Sequence, residues 1–194
     1  MGNLENLIKN SKNLERKYGK VHLIYGNGKG KTTSTVGMVT RAVGHGLNVK
    51  FIQFMKPNNS GETKILKELE NVDYFCPAEK YDWINLKEGF NEIQKKYVEI
   101  SLKEVDNVND SIDLLVCDEI LNVPFFSQST ESDLNFTYKD ISSIIDNKRS
   151  NLELVMSGLY CPEFLHEKGD YVTEIKSKKH PYEKGLIARV GIEY

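Results

Sequence analysis

The stretch "YGNGKGKTTS", Tyr25 to Ser34, constrains this chain more than any other ten residues. It joins a short apolar run, "VHLIY" (21–25), to a segment in which Val36, Val39, Ala42 and Val43 recur at helical spacing. A glycine-rich turn between a strand and a helix aims several backbone N–H groups and the helix N-terminus at one point, and that point attracts phosphate. Gly26, Gly28 and Gly30 alternate, which lets the backbone take positive φ and come close to a ligand. The common nucleotide loop reads G-x-x-x-x-G-K-[ST]. Counting back from Gly30-Lys31-Thr32 puts Tyr25 where the first glycine belongs, and Gly26 falls one place late. The loop is therefore a shortened form. Lys31 supplies a point charge for phosphate oxygens, and the Thr32 hydroxyl suits a Mg²⁺ (or Mn²⁺) ion. Lys29 is either another phosphate contact or a solvated loop lysine.

Beyond the loop, short apolar runs alternate with amphipathic segments. Strands are expected at 21–25, 48–54, 72–76, 113–119, 152–158 and 171–176, and "LIARVGIEY" (186–194) reads as one more. Helices are expected at 32–46, 63–70, 138–149 and 162–169. A longer one, 85–108, is expected to carry Phe90, Ile93, Tyr97, Ile100 and Val105 on its apolar face. Residues 122–136 read as a polar stretch with an apolar centre at Pro124-Phe125-Phe126. The strand runs are continuous more often than alternating, which favours a mostly parallel sheet with helices on both faces. The fold class is α/β, of the P-loop NTPase-like (RecA-like) kind. Residues 1–20 form a polar N-terminal arm and 21–194 a single domain.

The bulk properties exclude several classes. The chain has 194 residues and a formal net charge of −2, with lysines spread along it, so no nucleic-acid partner is indicated. No apolar run approaches the ~20 residues of a membrane span, and the N-terminus has no signal-peptide pattern. Asn6 stands where a myristoylation pattern needs Ser or Thr. Cys76, Cys117 and Cys161 form no C-x-x-C pair, which suits reduced thiols in a cytoplasmic protein better than a zinc site.

A second acidic signal agrees with the loop. Leu114-Leu115-Val116-Cys117 leads into Asp118-Glu119, four apolar residues and then an acid. In nucleotide-binding folds of this kind such a strand lies beside the phosphate loop and its acid holds the metal. Spacing does not say which of Asp118 and Glu119 does so. No Ser-His-Asp set is present, and His22, His45, His166 and His180 are scattered. The residues alone leave three readings open: a nucleotide-dependent transferase, a P-loop ATPase or small-molecule kinase, and a non-catalytic carrier.

One resemblance narrows these. "GNGKGKTTSTVGMVTRAVGHGLNVKFIQFMK" strongly resembles the start of the ATP:corrinoid adenosyltransferases with a P-loop fold. That family opens with the same shortened G-N-G-K-G-K-T-T loop, a helix ending R-A-x-G-H-G and a strand ending Q-F. "SGE" (60–62) and "CDE" (117–119) match in order, and "KHPYEKGLIARVGIEY" (179–194) resembles the family's C-terminal motif. The matches span 21–194.

The resemblance implies transfer of the 5′-deoxyadenosyl group of ATP to cob(I)alamin or a related corrinoid, with release of triphosphate. It places Gly26, Asn27, Gly28, Lys29, Gly30, Lys31, Thr32 and Thr33 on the triphosphate and Arg41 near the nucleotide. Lys31, Thr32 and Glu119 would serve catalysis, with Thr32, Asp118 and Glu119 as metal ligands. Tyr81 and Trp83 would contact the corrinoid and displace its lower ligand. A flavoprotein or ferredoxin-type reductant, and a homodimer with N-terminal arms over the partner's site, are also implied. Tyr81 stands where Phe is usual, Leu159 where the family has an arginine, and 122–136 is longer and more polar than the family's segment.

Overall fold

The computed structural model describes residues 19–78, 91–128 and 134–193. All but the last two residues of the expected N-terminal arm lie outside them, as do Tyr81, Trp83 and Tyr194. The first half of the fold runs β1 (Val21–Tyr25), α1 (Lys31–Gly44), β2 (Val49–Gln53), α2 (Gly61–Glu68), β3 (Val72–Phe75) and α3 (Glu92–Asp106). The second half runs β4 (Leu114–Asp118), a 3₁₀ turn (Ile120–Asn122), α4 (Val123–Gln128), α5 (Tyr138–Asn147), β5 (Glu153–Gly158), α6 (Glu163–His166) and β6 (Tyr171–Glu174). A further 3₁₀ turn spans Pro181–Lys184.

The six strands form one sheet in the order β3-β2-β4-β5-β1-β6, and every neighbouring pair is parallel. β2 and β4 are buried at every position, as strands covered on both faces must be. Successive side chains point to opposite faces. Leu115 and Cys117 join one core with Val98 and Val105 of α3, Ile141 and Ile145 of α5, and Leu154 and Met156 of β5. Leu114 and Val116 join the other with Val39 and Ala42 of α1, Leu66 of α2, and Val155. Apolar residues at both parities of one strand therefore fix a three-layer arrangement.

The helix starts follow from local chemistry. Asn91 and Gln94 form a reciprocal capping box at α3, each side chain accepting a backbone N–H of the other at 2.9 Å. Thr137 and Asp140 do the same for α5. A buried lysine ties three elements together: Lys50 of β2 pairs with Asp73 of β3 and Glu104 of α3, both at 2.7 Å.

Three expectations are corrected. Residues 186–193 form no strand. The turn at Pro181–Lys184 and positive φ at Gly185 (78°) and Gly191 (76°) break extended backbone at both ends of this segment. The tail instead coils back so that Arg189 pairs with Glu193. In α3 the buried positions are Gln94, Lys95, Val98, Ser101 and Val105, whereas Ile93 is exposed. The expected apolar stripe is rotated because the stems of Gln94 and Lys95 pack inward, as amphipathic side chains can. Finally, the described part of 122–136 is less polar than expected, with burial reaching beyond its apolar centre. Asn122, Val123, Phe126, Leu134 and Phe136 are buried, and α4 forms there.

These placements separate two substitutions. Leu154→Ala, near the start of β5 and fully buried, is expected to cost about 2–5 kcal/mol in urea unfolding. Ile187→Ser, in the exposed tail, is expected to change stability by no more than about 0.5 kcal/mol.

Candidate phosphate and cation site

The glycines of the loop are explained one by one. Gly26 has φ of 119°, and a Cβ there would lie 2.3 Å from the Ile175 carbonyl oxygen. Its N–H reaches Gly158 at 3.1 Å, and the Gly28 N–H donates to Ile175 at 2.8 Å. A Cβ on Gly28 would lie 2.7 Å from the Ile175 side chain. The chain leaving β6 thus packs against the loop and admits no side chain at either position. Gly30 has open space around it but a φ of 115° at the N-cap of α1, so there the backbone alone demands glycine. Tyr25 is still strand: it pairs with Gly158 and Glu174, and its ring lies against His166. The loop is short because β1 runs one residue further before it turns.

The first turn of α1 carries the reactive side chains to the C-terminal edge of the sheet. Lys31 folds back over its own loop and donates to the carbonyls of Gly26 (2.8 Å) and Gly28 (3.1 Å). Burial first, and the neighbouring Lys56 charge, push its pKa below the ordinary lysine value, against the pull of Glu119 and Asp118. Thr32 Oγ1 donates to Asp118 at the end of β4, 3.1–3.2 Å from both carboxylate oxygens. Strand order makes this meeting possible. β1 and β4 flank β5, and their carboxyl ends open on the same side, where ligands bind in open α/β sheets.

Asp118 has no exposed surface. Ser157 donates to it at 2.7 Å and Gln53 at 3.4 Å, and Lys56 Nζ lies 3.0 Å away. Burial pushes its pKa up, but the Lys56 charge and the hydrogen bonds from Ser157, Lys56 and Thr32 hold it below the usual carboxylate value. Glu119 has the left-handed φ of 66°, rare for a non-glycine residue. Its N–H donates to Ser157 Oγ at 2.9 Å, and its carboxylate accepts from Asn122 and pairs with Lys56 at 2.9 Å. Asn122 Oδ1 accepts the Leu159 N–H at 2.6 Å.

Lys56 was not singled out by the sequence, although it lies at the centre of the site. Its ammonium reaches Asp118 and Glu119 and donates to Thr32 Oγ1. Burial lowers its pKa, but the two carboxylates outweigh that and raise it. Its signals were its position, two residues after "FIQF", and its place as the last residue of the stretch that resembles the family. Gln53 stands in the Q-F strand end of the resemblance without a role attached to it, and no role attaches to Ser157 or Asn122 either.

A cavity of about 480 Å³ opens beside this cluster. Gly28 to Thr33, Lys56, Ser60 to Glu62, Glu119 and the tail residues Gly191 to Glu193 line it. The N-termini of α1 and α2 both border it, two helix ends that favour negative charge. Lys29 stands at the rim, paired with Glu193 of the tail at 3.1 Å. Gly26 and Asn27 do not line this cavity. They border a separate hollow with Leu159, Tyr160 and His166, and Asn27 Oδ1 accepts the Ser177 N–H at 3.1 Å. Arg41 is exposed in the last turn of α1, about 15 Å of helix beyond Lys31, and does not line the cavity either.

Thr32, Asp118 and Glu119 suit a hard cation. Among the described residues no three His, Cys, Asp or Glu side chains gather for a metal. Two carboxylates and a hydroxyl arranged round one ammonium are nevertheless all-oxygen donors. They leave room for phosphate oxygens and water, which is how Mg²⁺ is held with a nucleotide. Ser157 holds both acids through one hydroxyl. Ser157→Ala is expected to cost about 1–3 kcal/mol in chemical unfolding, since two buried groups lose their partner.

Comparison with known proteins agrees in kind. Residues 17–194 match the family described as ATP:corrinoid adenosyltransferase BtuR/CobO/CobP. The chain is similar to the corrinoid adenosyltransferase of Escherichia coli strain K12, with 26% identity over 176 residues, 91% of this chain and 86% of that protein. Corrinoid adenosyltransferase CobA of Salmonella typhimurium gives the same 26% identity and coverage. The Pseudomonas aeruginosa corrinoid adenosyltransferase is 29% identical over 171 residues, 87% of this chain and 80% of that protein.

Proposed function

The chain belongs to the ATP:corrinoid adenosyltransferase family BtuR/CobO/CobP, and on that premise we propose how its phosphate loop serves the transfer. The enzyme moves the 5′-deoxyadenosyl group of ATP to the cobalt of a corrinoid. We take cob(I)alamin as the acceptor. Its Co(I) donates an electron pair to the ribose C5′, the C5′–O bond breaks, and that bond's electrons leave on triphosphate. No proton has to be removed from the nucleophile, so the reaction asks for position and charge compensation more than for acid–base chemistry.

The observation that carries this reading is the meeting of Thr32, which lines a cavity walled by the glycine loop, with a fully buried Asp118 behind it. Gly28 to Thr33 hold the triphosphate, with backbone N–H groups and the α1 N-terminus as fixed donors. Lys31 exchanges the Gly26 and Gly28 carbonyls for phosphate oxygens. The phosphate charge then offsets the burial that disfavours the charged form of Lys31. Thr32, Asp118 and Glu119 would hold Mg²⁺ (or Mn²⁺), which would supply charge neutralisation on the leaving group. The α2 N-terminus and Ser60 add a second electropositive edge. Gly26 and Asn27 act one step back: Gly26 donates to the Gly158 carbonyl and leaves room for that of Ile175, and Asn27 accepts the Ser177 N–H.

Arg41 is assigned to the nucleotide through the family resemblance alone. Tyr81 and Trp83, outside the described residues, are assigned to the corrinoid on the same ground: they displace its lower ligand and ease reduction of Co(II). A flavoprotein or ferredoxin-type reductant then provides Co(I). A homodimer, which also rests on resemblance, and a cytoplasmic location, which rests on the cysteine usage, complete the reading. Among the described residues no helix is long and apolar enough to cross a membrane.

With ATP, Mg²⁺ and chemically reduced cob(I)alamin, the expected products are triphosphate and a light-sensitive Co–C compound in equal amounts, read by ion chromatography and visible absorbance. Release of ADP and phosphate instead would overturn the reading. Thr32→Ala is expected to lower kcat/KM about a hundredfold or more, as loss of a leaving-group stabiliser does. Trp83→Ala is expected to keep its rate with pre-reduced Co(I) and lose it when Co(II) must be reduced on the enzyme.

A further inference from the structure

Two lysines of β2 and its exit are buried among acids, and they differ in a telling way. Lys50 pairs with Asp73 and Glu104, whose side chains are 56% and 31% exposed, and it borders no phosphate cavity. That is a structural ion pair. Lys56 pairs with Asp118 and Glu119, whose side chains are 0% and 12% exposed, and it lines the 480 Å³ cavity beside Lys31.

The oxygens that Lys56 engages are those of Thr32, Asp118 and Glu119. These are the three groups assigned to the divalent cation. An ammonium sits ~2.7–2.9 Å from its oxygens and Mg²⁺ at ~2.0–2.1 Å, so the two occupy the same small space and exclude each other. Removing the lysine without replacement would strand a buried carboxylate, which is costly. Moving it outward has a destination, because the cavity it lines is built for an anion.

We propose that Lys56 is an exchangeable counterion. It holds Asp118 and Glu119 in the nucleotide-free enzyme, gives them up to Mg²⁺ when the metal–nucleotide enters, and moves into the cavity to bind the triphosphate leaving group. The acids are never left unpaired, and the leaving group gains a second lysine beside Lys31. The inference rests on the assignment of Thr32, Asp118 and Glu119 to the metal.

The test compares full-length wild-type enzyme with Lys56→Met. Mn²⁺ binding is measured without nucleotide by the EPR signal of the free ion. Binding of inorganic triphosphate is measured with Mg²⁺ by calorimetry. Loss of the competing charge is expected to tighten Mn²⁺ binding about tenfold, and loss of the mobile cation to weaken triphosphate binding about tenfold. Without metal the variant is expected to melt lower than wild type, and Mn²⁺ to close that gap. Equal Mn²⁺ affinity in both proteins overturns the exchange while leaving the metal site intact. No Mn²⁺ bound by either overturns the metal assignment and the exchange together. Should Lys56→Met not fold, wild-type enzyme carrying ¹³Cε-lysine answers the same question. Its Lys56 signal, assigned with Lys56→Arg, is expected to shift on adding Mg²⁺–triphosphate, and an unmoved signal overturns the proposal.

Discussion

A carboxylate with no exposed surface must be paired, and in this protein the pairing of Asp118 organises everything around it. Its four side-chain partners come from around β4: Thr32 from α1, Gln53 from β2, Lys56 from the loop after β2, and Ser157 from β5. Each bond ties the carboxyl end of one strand, or the loop that follows it, to the next. The sheet brings these ends together through its order, and the buried charge then fixes their spacing. A fold with apolar contacts alone at this edge would pack as well, but would leave the glycine loop without a reference point.

The depth to which the sequence was legible follows the range of the interaction. β1, the loop, α1, β4 and the Asp118-Glu119 pair are local patterns, and the structure places each where the pattern put it. Lys56 was invisible because it is one lysine among many in a loop, and only the three-dimensional meeting with Asp118, Glu119 and Thr32 marks it out. Ser157 and Asn122 were invisible for the same reason. The rotated face of α3 and the unstranded tail show the opposite limit. Ile93 and Ile187 are apolar residues that the chain leaves exposed, and periodicity counts apolar residues without knowing which ones find a neighbour.

Leu159 shows why a departure from the family pattern need not disturb the acids. Its backbone N–H holds Asn122 Oδ1, and the Asn122 amide in turn donates to Glu119. The preceding Gly158 has no room for a side chain, since a Cβ would lie 2.7 Å from that same Asn122 oxygen. What supports Glu119 here is therefore main chain plus the absence of a side chain. The Leu159 side chain is 43% exposed and borders the hollow shared with Tyr25 and Tyr160. An exchange of arginine for leucine at this position alters that hollow and leaves the relay to Glu119 unchanged.

The shortened loop acquires its meaning from the two lysines that flank it. A nucleotide loop that presents a terminal phosphate for attack has to orient one phosphorus atom. A loop that releases the whole triphosphate has to compensate about four negative charges at once, and the place of the bond broken lies outside it. Here β1 runs on to Tyr25, Gly26 and Gly28 are pressed against the chain at Ile175, and Lys31 lies across the loop on two carbonyls. Lys56 lies near it on two carboxylates. Both cations rest on oxygens at the cavity wall, so in the proposed reading an arriving triphosphate replaces partners and does not have to gather them from solvent. Little reorganisation is then left for the moment when charge leaves C5′, and a tight, short loop with no vacant turn is the form that such a task favours.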